Sequence, residues 1–142
     1  MTPESALVRS IRLAVGQQAG IVIWRNSTGI AVFRSSGYRE QTVRYGLCPG
    51  SADIIGLVAP HGRFLALEVK TPKGRLTKEQ QCFLDLINRL GGVGRMVRSV
   101  NEAMAVLEEA RRPAALTTGL AAMAGSEEQR AGVYPGVKKK PQ

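Results

Sequence analysis

One aspartate and an alternating glutamate–lysine pair carry most of the potential chemistry of this sequence. Asp53 lies at the start of one apolar run, and Glu68 and Lys70 lie at the end of the next. Strand side chains alternate between faces, so Glu68 and Lys70 share a face. If the runs form a hairpin whose turn is centred near residues 60 and 61, Asp53 lies almost opposite Glu68. Two carboxylates and an ammonium group would then meet at one end of a sheet.

This combination of charges is typical of a divalent-metal site. Two buried carboxylates repel each other, and a cation between them would remove that repulsion. Oxygen ligands favour Mg²⁺ or Mn²⁺, which can activate water and neutralise charge on a phosphate. Lys70 would hold that water or the developing negative charge. The alternative is that Glu68 and Lys70 are ordinary charges at a strand end, with Asp53 as a solvated partner.

Two more polar side chains lie on helix faces that otherwise carry apolar residues. Gln80 shares a face with the apolar residues of one predicted helix, and Glu4 shares a face with those of another. Each has a simpler explanation, because Gln80 completes a capping box and the helix dipole favours an acid such as Glu4 in the first turn. Since capping alone hardly explains both, we consider the two residues as candidates to support the site.

The hydrophobic pattern predicts an α/β fold that would position these residues. Apolar side chains on both faces of 63–70 indicate a central strand covered on both sides. The result is an α/β sandwich with a mixed sheet. The predicted elements are a helix 3–17, a strand 21–24, an optional hairpin of 31–34 and 41–45, strands 52–58 and 63–70, a helix from 77 to the glycines at 91 and 92, a strand 93–97, and a helix from 101 that Pro113 ends.

The length of 142 residues suffices for one domain with a hydrophobic core but not for two. We assign this domain to residues 1–112. From 113 to 142 the composition changes to Ala, Gly, Thr and Lys, which predicts a weakly ordered basic tail. Within that tail, residues 116–123 could form a short helical turn.

The charge balance indicates a polyanionic partner. The chain has 20 Lys and Arg against 11 Asp and Glu, a formal net charge of +9. Nucleic acid is the commonest partner of so basic a small domain, although the charge could also serve solubility alone. Basic residues spread along the chain suit a groove that follows a phosphate backbone.

Several classes of function are excluded or disfavoured by composition. The single histidine, His61, lies in a Pro-His-Gly turn signal, so multi-histidine nucleases and Ser-His-Asp hydrolases are excluded. Two cysteines form neither a disulfide framework nor a zinc pair. No apolar run approaches the roughly 18 residues of a membrane span, and the N-terminus lacks a signal-peptide pattern. We therefore expect a cytoplasmic protein that does not bind membranes.

An ordered series of motifs resembles the PD-(D/E)xK nuclease pattern, and more narrowly the VRR-NUC family of phage and repair nucleases. The ExK tripeptide alone is a weak signal, but the series is specific and covers about residues 4 to 107. One departure is Ala52, where the family name has proline, which shapes the backbone and does no chemistry. The matching segments are 25–29, 46–53, 68–70, 77–80 and the glycine pair at 91 and 92.

The resemblance implies an αβββαβ core and Mg²⁺- or Mn²⁺-dependent hydrolysis of DNA phosphodiester bonds. Asp53 and Glu68 would be metal ligands together with the Val69 carbonyl, and Lys70 would be the catalytic lysine. Glu4 would support the metal as an acid and Gln80 would support catalysis as an amide. Stand-alone members resemble Holliday-junction resolvases, so a homodimer acting on junction, flap or other branched DNA in phage replication or repair is implied by analogy.

Candidate DNA contacts flank the predicted site in loops and at hairpin edges, where phosphate contacts are usual. For any one of them, a merely solvated surface residue remains an equal alternative. Three other functions also remain open: a non-catalytic nucleic-acid-binding module, an RNA-processing nuclease, and a structural domain. The DNA-contact candidates are Arg25, Asn26, Tyr38, Arg39, Arg44, Lys73 and Arg75.

Overall fold

The computed structural model describes residues 1–34 and 36–113. Within these ranges the chain forms three α-helices and six β-strands. In chain order they are α1 (Pro3–Gly16), β1 (Ile21–Arg25), β2 (Gly29–Phe33), β3 (Gln41–Tyr45), β4 (Ile54–Val58), β5 (Arg63–Val69), α2 (Lys78–Arg89), β6 (Val93–Val97) and α3 (Val100–Arg111).

Four of the strands form one mixed sheet in the order β1-β4-β5-β6. The pairs β1–β4 and β4–β5 are antiparallel, whereas β5 and β6 are parallel. Parallel neighbours need a crossover, and α2 supplies it. Strands β2 and β3 pair only with each other, as a separate antiparallel ribbon. The predicted α/β fold with a mixed sheet flanked by helices is therefore confirmed.

Strand β5 is the centre of the fold. Every residue from Leu65 to Val69 on this strand is buried. Leu65, Leu67 and Val69 face the larger core cluster, which they share with buried residues of α1 and α3. Ala66 faces the smaller cluster with Leu84 of α2. The alternation places Glu68 on the Ala66 face, toward α2.

Several boundaries differ by one or two residues from the sequence-based prediction. Strand β2 begins at Gly29, and α3 begins at Val100 after Ser99, whose side chain accepts from the Glu102 backbone N–H. Strand β4 begins only at Ile54. Just before it, the Asp53 carbonyl accepts from the Asn26 backbone N–H at 2.8 Å and the Ala52 carbonyl accepts from the Asn26 side chain at 2.9 Å.

The final helix ends at Arg111, and Pro113 follows it as predicted. The expected tail, with its helical turn at 116–123, lies outside the described residues, so the division at 112 stays a prediction. In residues 1–34 and 36–113, none of the helices is both long and apolar enough to cross a membrane.

A close backbone contact joins the segment before β4 to α2. A Cβ atom placed on Gly50 would lie 2.6 Å from the backbone carbonyl carbon of Glu79, and Gly50 has φ +80°. Gly62 has a similar φ of +66°, but a Cβ there would meet nothing within 4 Å. A comparison of substitutions at the two positions therefore separates the cost of a left-handed backbone from the cost of a steric contact.

We predict that Gly50→Ala destabilises the protein more than Gly62→Ala. A left-handed alanine costs about 1–2 kcal/mol at either position. Only at Gly50 does overpacking add about 1–3 kcal/mol. Urea denaturation of both variants measures the difference in free energy of unfolding. Equal losses would show that the contact between residue 50 and α2 is not tight.

Candidate active site

Asp53 and Glu68 face each other across the antiparallel β4–β5 pair. Ile54 pairs with Leu67, so the next step of the register places Asp53 opposite Glu68. The Val69 backbone N–H donates to Asp53 Oδ2 at 2.9 Å, which ties this carboxylate to the end of β5. The hairpin geometry predicted from the sequence is therefore present.

The Glu68 carboxylate is almost fully buried, with 1% of the residue exposed. Its Oε1 accepts hydrogen bonds from Lys70 Nζ at 2.7 Å and from Gln80 Nε2 at 2.6 Å. Its Oε2 is buried and has no hydrogen-bond partner among the residues that the structure describes. Oε1 thus accepts two hydrogen bonds, while Oε2 has no hydrogen-bond donor beside it within the described residues and would need such a donor or a cation.

Burial and neighbouring charges shift the protonation of this pair. Burial is the largest effect on Glu68 and raises the pKa of its carboxyl group, and the negative charge of Asp53 adds to that rise although the hydrogen bond from Lys70 opposes it. Burial would lower the pKa of Lys70, but the hydrogen bond and charge of Glu68, with smaller contributions from Glu4 and Asp53, raise it overall. The site therefore has an excess of negative charge that one ammonium group does not balance.

Gln80 has two roles that its amide group performs together. Its Oε1 accepts from the Thr77 backbone N–H at 2.9 Å, and Thr77 Oγ1 accepts from the Gln80 backbone N–H at 3.2 Å, so the capping box is complete. Because Oε1 faces a backbone donor, the NH₂ group must face Glu68. Gln80 therefore caps α2 and also bonds the Glu68 carboxylate, while its contribution to catalysis stays a prediction.

The residues present fit a divalent cation held by two carboxylates. A cation beside Glu68 Oε2 and Asp53 would satisfy the buried oxygen and offset the excess negative charge. Within 1–34 and 36–113, no three Asp, Glu, His or Cys side chains are grouped closely enough to hold a metal ion. Mg²⁺ commonly uses only one or two protein carboxylates and keeps several waters. Two carboxylates, the Val69 carbonyl of the same segment and water would suffice.

Glu4 lies at the start of α1, and its role as a metal ligand stays a prediction. It is half-buried in the first turn of α1, and its charge acts on Lys70. The structure does not bring it into a three-carboxylate group with Asp53 and Glu68.

Comparison with known families decides the classification. The VRR-NUC domain matches residues 13–101, well over half of the 142-residue chain. The chain belongs to the VRR-NUC domain family. It is a nuclease domain with a PD-(D/E)xK-like fold, as the motif series predicted. No curated protein matches the chain.

The matched region of this VRR-NUC domain contains Asp53, Glu68, Lys70 and Gln80, the four residues that the structure brings together. Glu4 lies before it. Because the match covers most of the fold, it includes these residues without assigning a role to any of them.

Most of the candidate DNA contacts of the VRR-NUC domain lie on its surface. Arg25 ends β1, Arg44 lies on β3, and Tyr38 and Arg39 lie between β2 and β3. All four are exposed. Lys73 and Arg75 are exposed in the loop 71–76, directly after Lys70.

Asn26 is the exception, and its assignment as a DNA contact requires correction. The residue is only 9% exposed, and its amide nitrogen donates to Ser51 Oγ and to the Ala52 carbonyl. Its amide oxygen accepts from the Leu47 backbone N–H. A side chain engaged in this way inside the protein is not available to a phosphate group.

Arg98 is a structural contributor that the sequence did not indicate. Its guanidinium donates to the carbonyl of Thr71 and, at 2.9 Å, to that of Gly74. It thereby holds the loop that carries Lys73 and Arg75. The sequence could have indicated this role through the position of Arg98 just after β6. Parallel strands such as β5 and β6 end at the same edge of a sheet, so a residue after β6 lies near the loop after β5.

We predict that Gln80→Glu abolishes most cleavage by the VRR-NUC domain without unfolding α2. Glutamate completes a capping box as well as glutamine does, so the helix start is retained. It cannot donate to Glu68, however, and places a third carboxylate against the pair. We expect cleavage at least about tenfold slower, a loss of about 1.4 kcal/mol in transition-state stabilisation.

Gln81→Glu is the matched control, because Gln81 is the exposed neighbour whose amide bonds Asp85 and no other group in the described part of the chain. Cleavage rates and far-ultraviolet circular dichroism are compared for both variants. Wild-type cleavage by Gln80→Glu would show that the amide donor is dispensable and that Gln80 serves only as a cap.

Proposed function

We propose that this VRR-NUC domain is a Mg²⁺- or Mn²⁺-dependent DNA endonuclease whose centre consists of Asp53, Glu68 and Lys70. The observation that carries the proposal is the buried Glu68 Oε2, which has no partner within the described residues and lies on the strand facing Asp53. A purely structural carboxylate would be expected to have both oxygens satisfied.

Each side chain of the centre would have a separate role in phosphodiester hydrolysis. A bound divalent cation would supply an activated water molecule and neutralise charge on the phosphate. Asp53 and Glu68 would hold that cation, and the Val69 N–H keeps one Asp53 oxygen in place at 2.9 Å. Gln80 keeps the Glu68 carboxylate oriented by bonding its other oxygen.

Lys70 supplies positive charge where negative charge develops. Although burial opposes the rise, the hydrogen bond and charge of Glu68 raise the pKa of Lys70, so the lysine is protonated at neutral pH and donates hydrogen bonds but cannot accept a proton. Its Nζ is fixed by Glu68 at 2.7 Å, and 12% of its side chain is exposed. The ammonium group is therefore held in place yet within reach of a phosphate oxygen or the attacking water.

Electrostatics favour a nucleic acid as the substrate. The chain has a net charge of +9, and the loop after Lys70 presents the exposed side chains of Lys73 and Arg75 beside the site. Arg98 fixes this loop by bonding two of its carbonyl groups. A phosphate backbone could then bind in a defined position relative to the Lys70 ammonium group.

A homodimer acting on branched DNA is the form of the enzyme that we infer. The family resemblance suggests this form, and exposed apolar side chains support an interface. On the sheet, Val22 and Trp24 of β1 and the adjacent Leu57 of β4 are 55%, 48% and 43% exposed. In the β2–β3 ribbon, Ile30 and Val32 are about half exposed as well. A second copy would cover this surface and place two cleavage sites on one four-way junction.

We predict that the wild-type protein cleaves DNA only with Mg²⁺ or Mn²⁺, and that Asp53→Asn and Lys70→Ala abolish cleavage. Removing a metal ligand or the stabilising charge should slow the reaction by about 10²–10³-fold or more. The substrates are labelled linear duplex, single-stranded, flap and four-way-junction DNA, together with a matched RNA duplex. EDTA provides the metal-free condition.

Asp85→Asn is the control for the charge change, since Asp85 is an exposed carboxylate on α2 whose one hydrogen bond within residues 1–34 and 36–113 comes from the Gln81 side chain. DNA affinity is measured with the metal removed, where both site variants should still bind. Binding without cleavage by the wild type would indicate a non-catalytic binding module. Preference for the RNA duplex would indicate RNA processing, and equal cleavage by the site variants would refute the assigned centre.

We predict that Trp24→Glu converts a dimer into a monomer. A charge at this position would be buried in the interface and would cost several kcal/mol without a partner. Light scattering coupled to size-exclusion chromatography measures the mass. Arg89→Glu, at an exposed position at the end of α2, is the control for a charge reversal elsewhere. A wild-type protein that is monomeric at all concentrations would contradict the inferred assembly.

A further inference from the structure

Asn26 connects the end of β1 to the segment that leads into Asp53. Its Nδ2 donates to Ser51 Oγ at 2.7 Å and to the Ala52 carbonyl at 2.9 Å. Its Oδ1 accepts from the Leu47 backbone N–H at 3.3 Å. All of these side-chain bonds therefore go to residues 47–52, immediately before Asp53.

The backbone of Asn26 contacts Asp53 itself. The Asn26 N–H donates to the Asp53 carbonyl at 2.8 Å. The regular β1–β4 pairing ends at Arg25 and Ile54, which are the chain neighbours of Asn26 and Asp53. Just beyond the last strand pair, Asn26 thus fixes the Asp53 carbonyl with its backbone and the Ala52 carbonyl with its side chain.

Apolar packing anchors the end of this segment, because Ala52 is fully buried in the smaller core cluster. Leu47 is 54% exposed, and Ser51, at 6%, is buried as a polar residue. Ser51 Oγ also donates to the Cys48 carbonyl at 2.7 Å, which closes a tight turn onto the same network. The hydrogen bonds that converge on Asn26 and Ser51 therefore act together with the packing of Ala52 to fix the conformation of 47–52.

The chemistry of the network requires an amide at position 26. Two acceptors, a hydroxyl oxygen and a carbonyl oxygen, lie on its nitrogen side, and a backbone donor lies on its oxygen side. Asparagine matches that set, whereas aspartate has the same shape but cannot donate. Asn26→Asp is therefore a nearly isosteric probe of these bonds.

We propose that Asn26 is a positioning residue for Asp53, which it holds opposite Glu68 at the geometry that a divalent cation requires. The inference rests on the proposed metal-dependent function. Metal sites tolerate displacements of only a few tenths of an ångström, and residues that orient ligands typically change metal affinity 10–100-fold when they are replaced.

The first test measures Mn²⁺ binding by electron paramagnetic resonance in the absence of DNA. We expect Asn26→Asp and Asn26→Ala to bind Mn²⁺ about 10–100-fold more weakly than the wild type. Asn88→Ala is the matched control. Asn88 also makes three side-chain hydrogen bonds, two with Gly94 and one with Arg95. It lies eight residues along α2 from Gln80, about 12 Å by helical rise.

The second test needs no metal. The Val69 amide proton is bonded to Asp53 Oδ2, so its hydrogen exchange reports where that carboxylate lies. In the metal-free protein, we expect faster Val69 exchange in both Asn26 variants, while the amides of Leu67 and Gly94 keep wild-type protection. A uniform rise in exchange across β5 and β6 would show global destabilisation and overturn the positioning role.

The outcomes separate this inference from the proposed function. Wild-type Mn²⁺ affinity in both Asn26 variants overturns the inference and leaves the metal site intact. Absence of Mn²⁺ binding by the wild type overturns the metal-dependent function, while Val69 exchange still decides the positioning role. If Asn26→Ala does not fold, Ser51→Ala removes one acceptor of the network, and it should weaken Mn²⁺ binding by a smaller factor.

Discussion

The burial of the Glu68 carboxylate on the central strand governs the rest of this structure. A charge surrounded by packed side chains costs several kcal/mol unless it is paired and hydrogen-bonded. Lys70 and Gln80 meet part of this requirement through one oxygen, while the second oxygen has no partner in the described residues. The fold thus accepts a destabilising group at a defined place, which is characteristic of functional sites.

The elements around Glu68 contribute side chains both to the hydrophobic core and to the hydrogen bonds of the site. Helix α2 covers the sheet through Leu84, and its first turn supplies the Gln80 amide to the carboxylate. Because the same amide closes the capping box, the start of α2 and the orientation of Glu68 are coupled. Asp53 is held in a similar way, by Asn26 on one side and the Val69 N–H on the other. Local structure and the site therefore depend on shared hydrogen bonds.

Much of the fold and the centre of the site could be predicted from the sequence. Apolar side chains on both faces of 63–70 predicted a central strand, and the hairpin register placed Asp53 opposite Glu68. These patterns are local, since alternation and turn position depend on neighbours in the chain. The ordered motifs led to the family that residues 13–101 match.

The remaining features depend on contacts between distant parts of the chain. Asn26 looked like a loop residue for DNA because its partners lie 21 to 26 residues further on. Arg98 and Glu4 have roles set by which strand ends and helix turns lie near Lys70. Sequence alone determined which side chains share a face, because backbone periodicity fixes that. Only the tertiary structure decided which oxygen of Glu68 is satisfied and what holds Asp53, because those depend on the packing of separate segments.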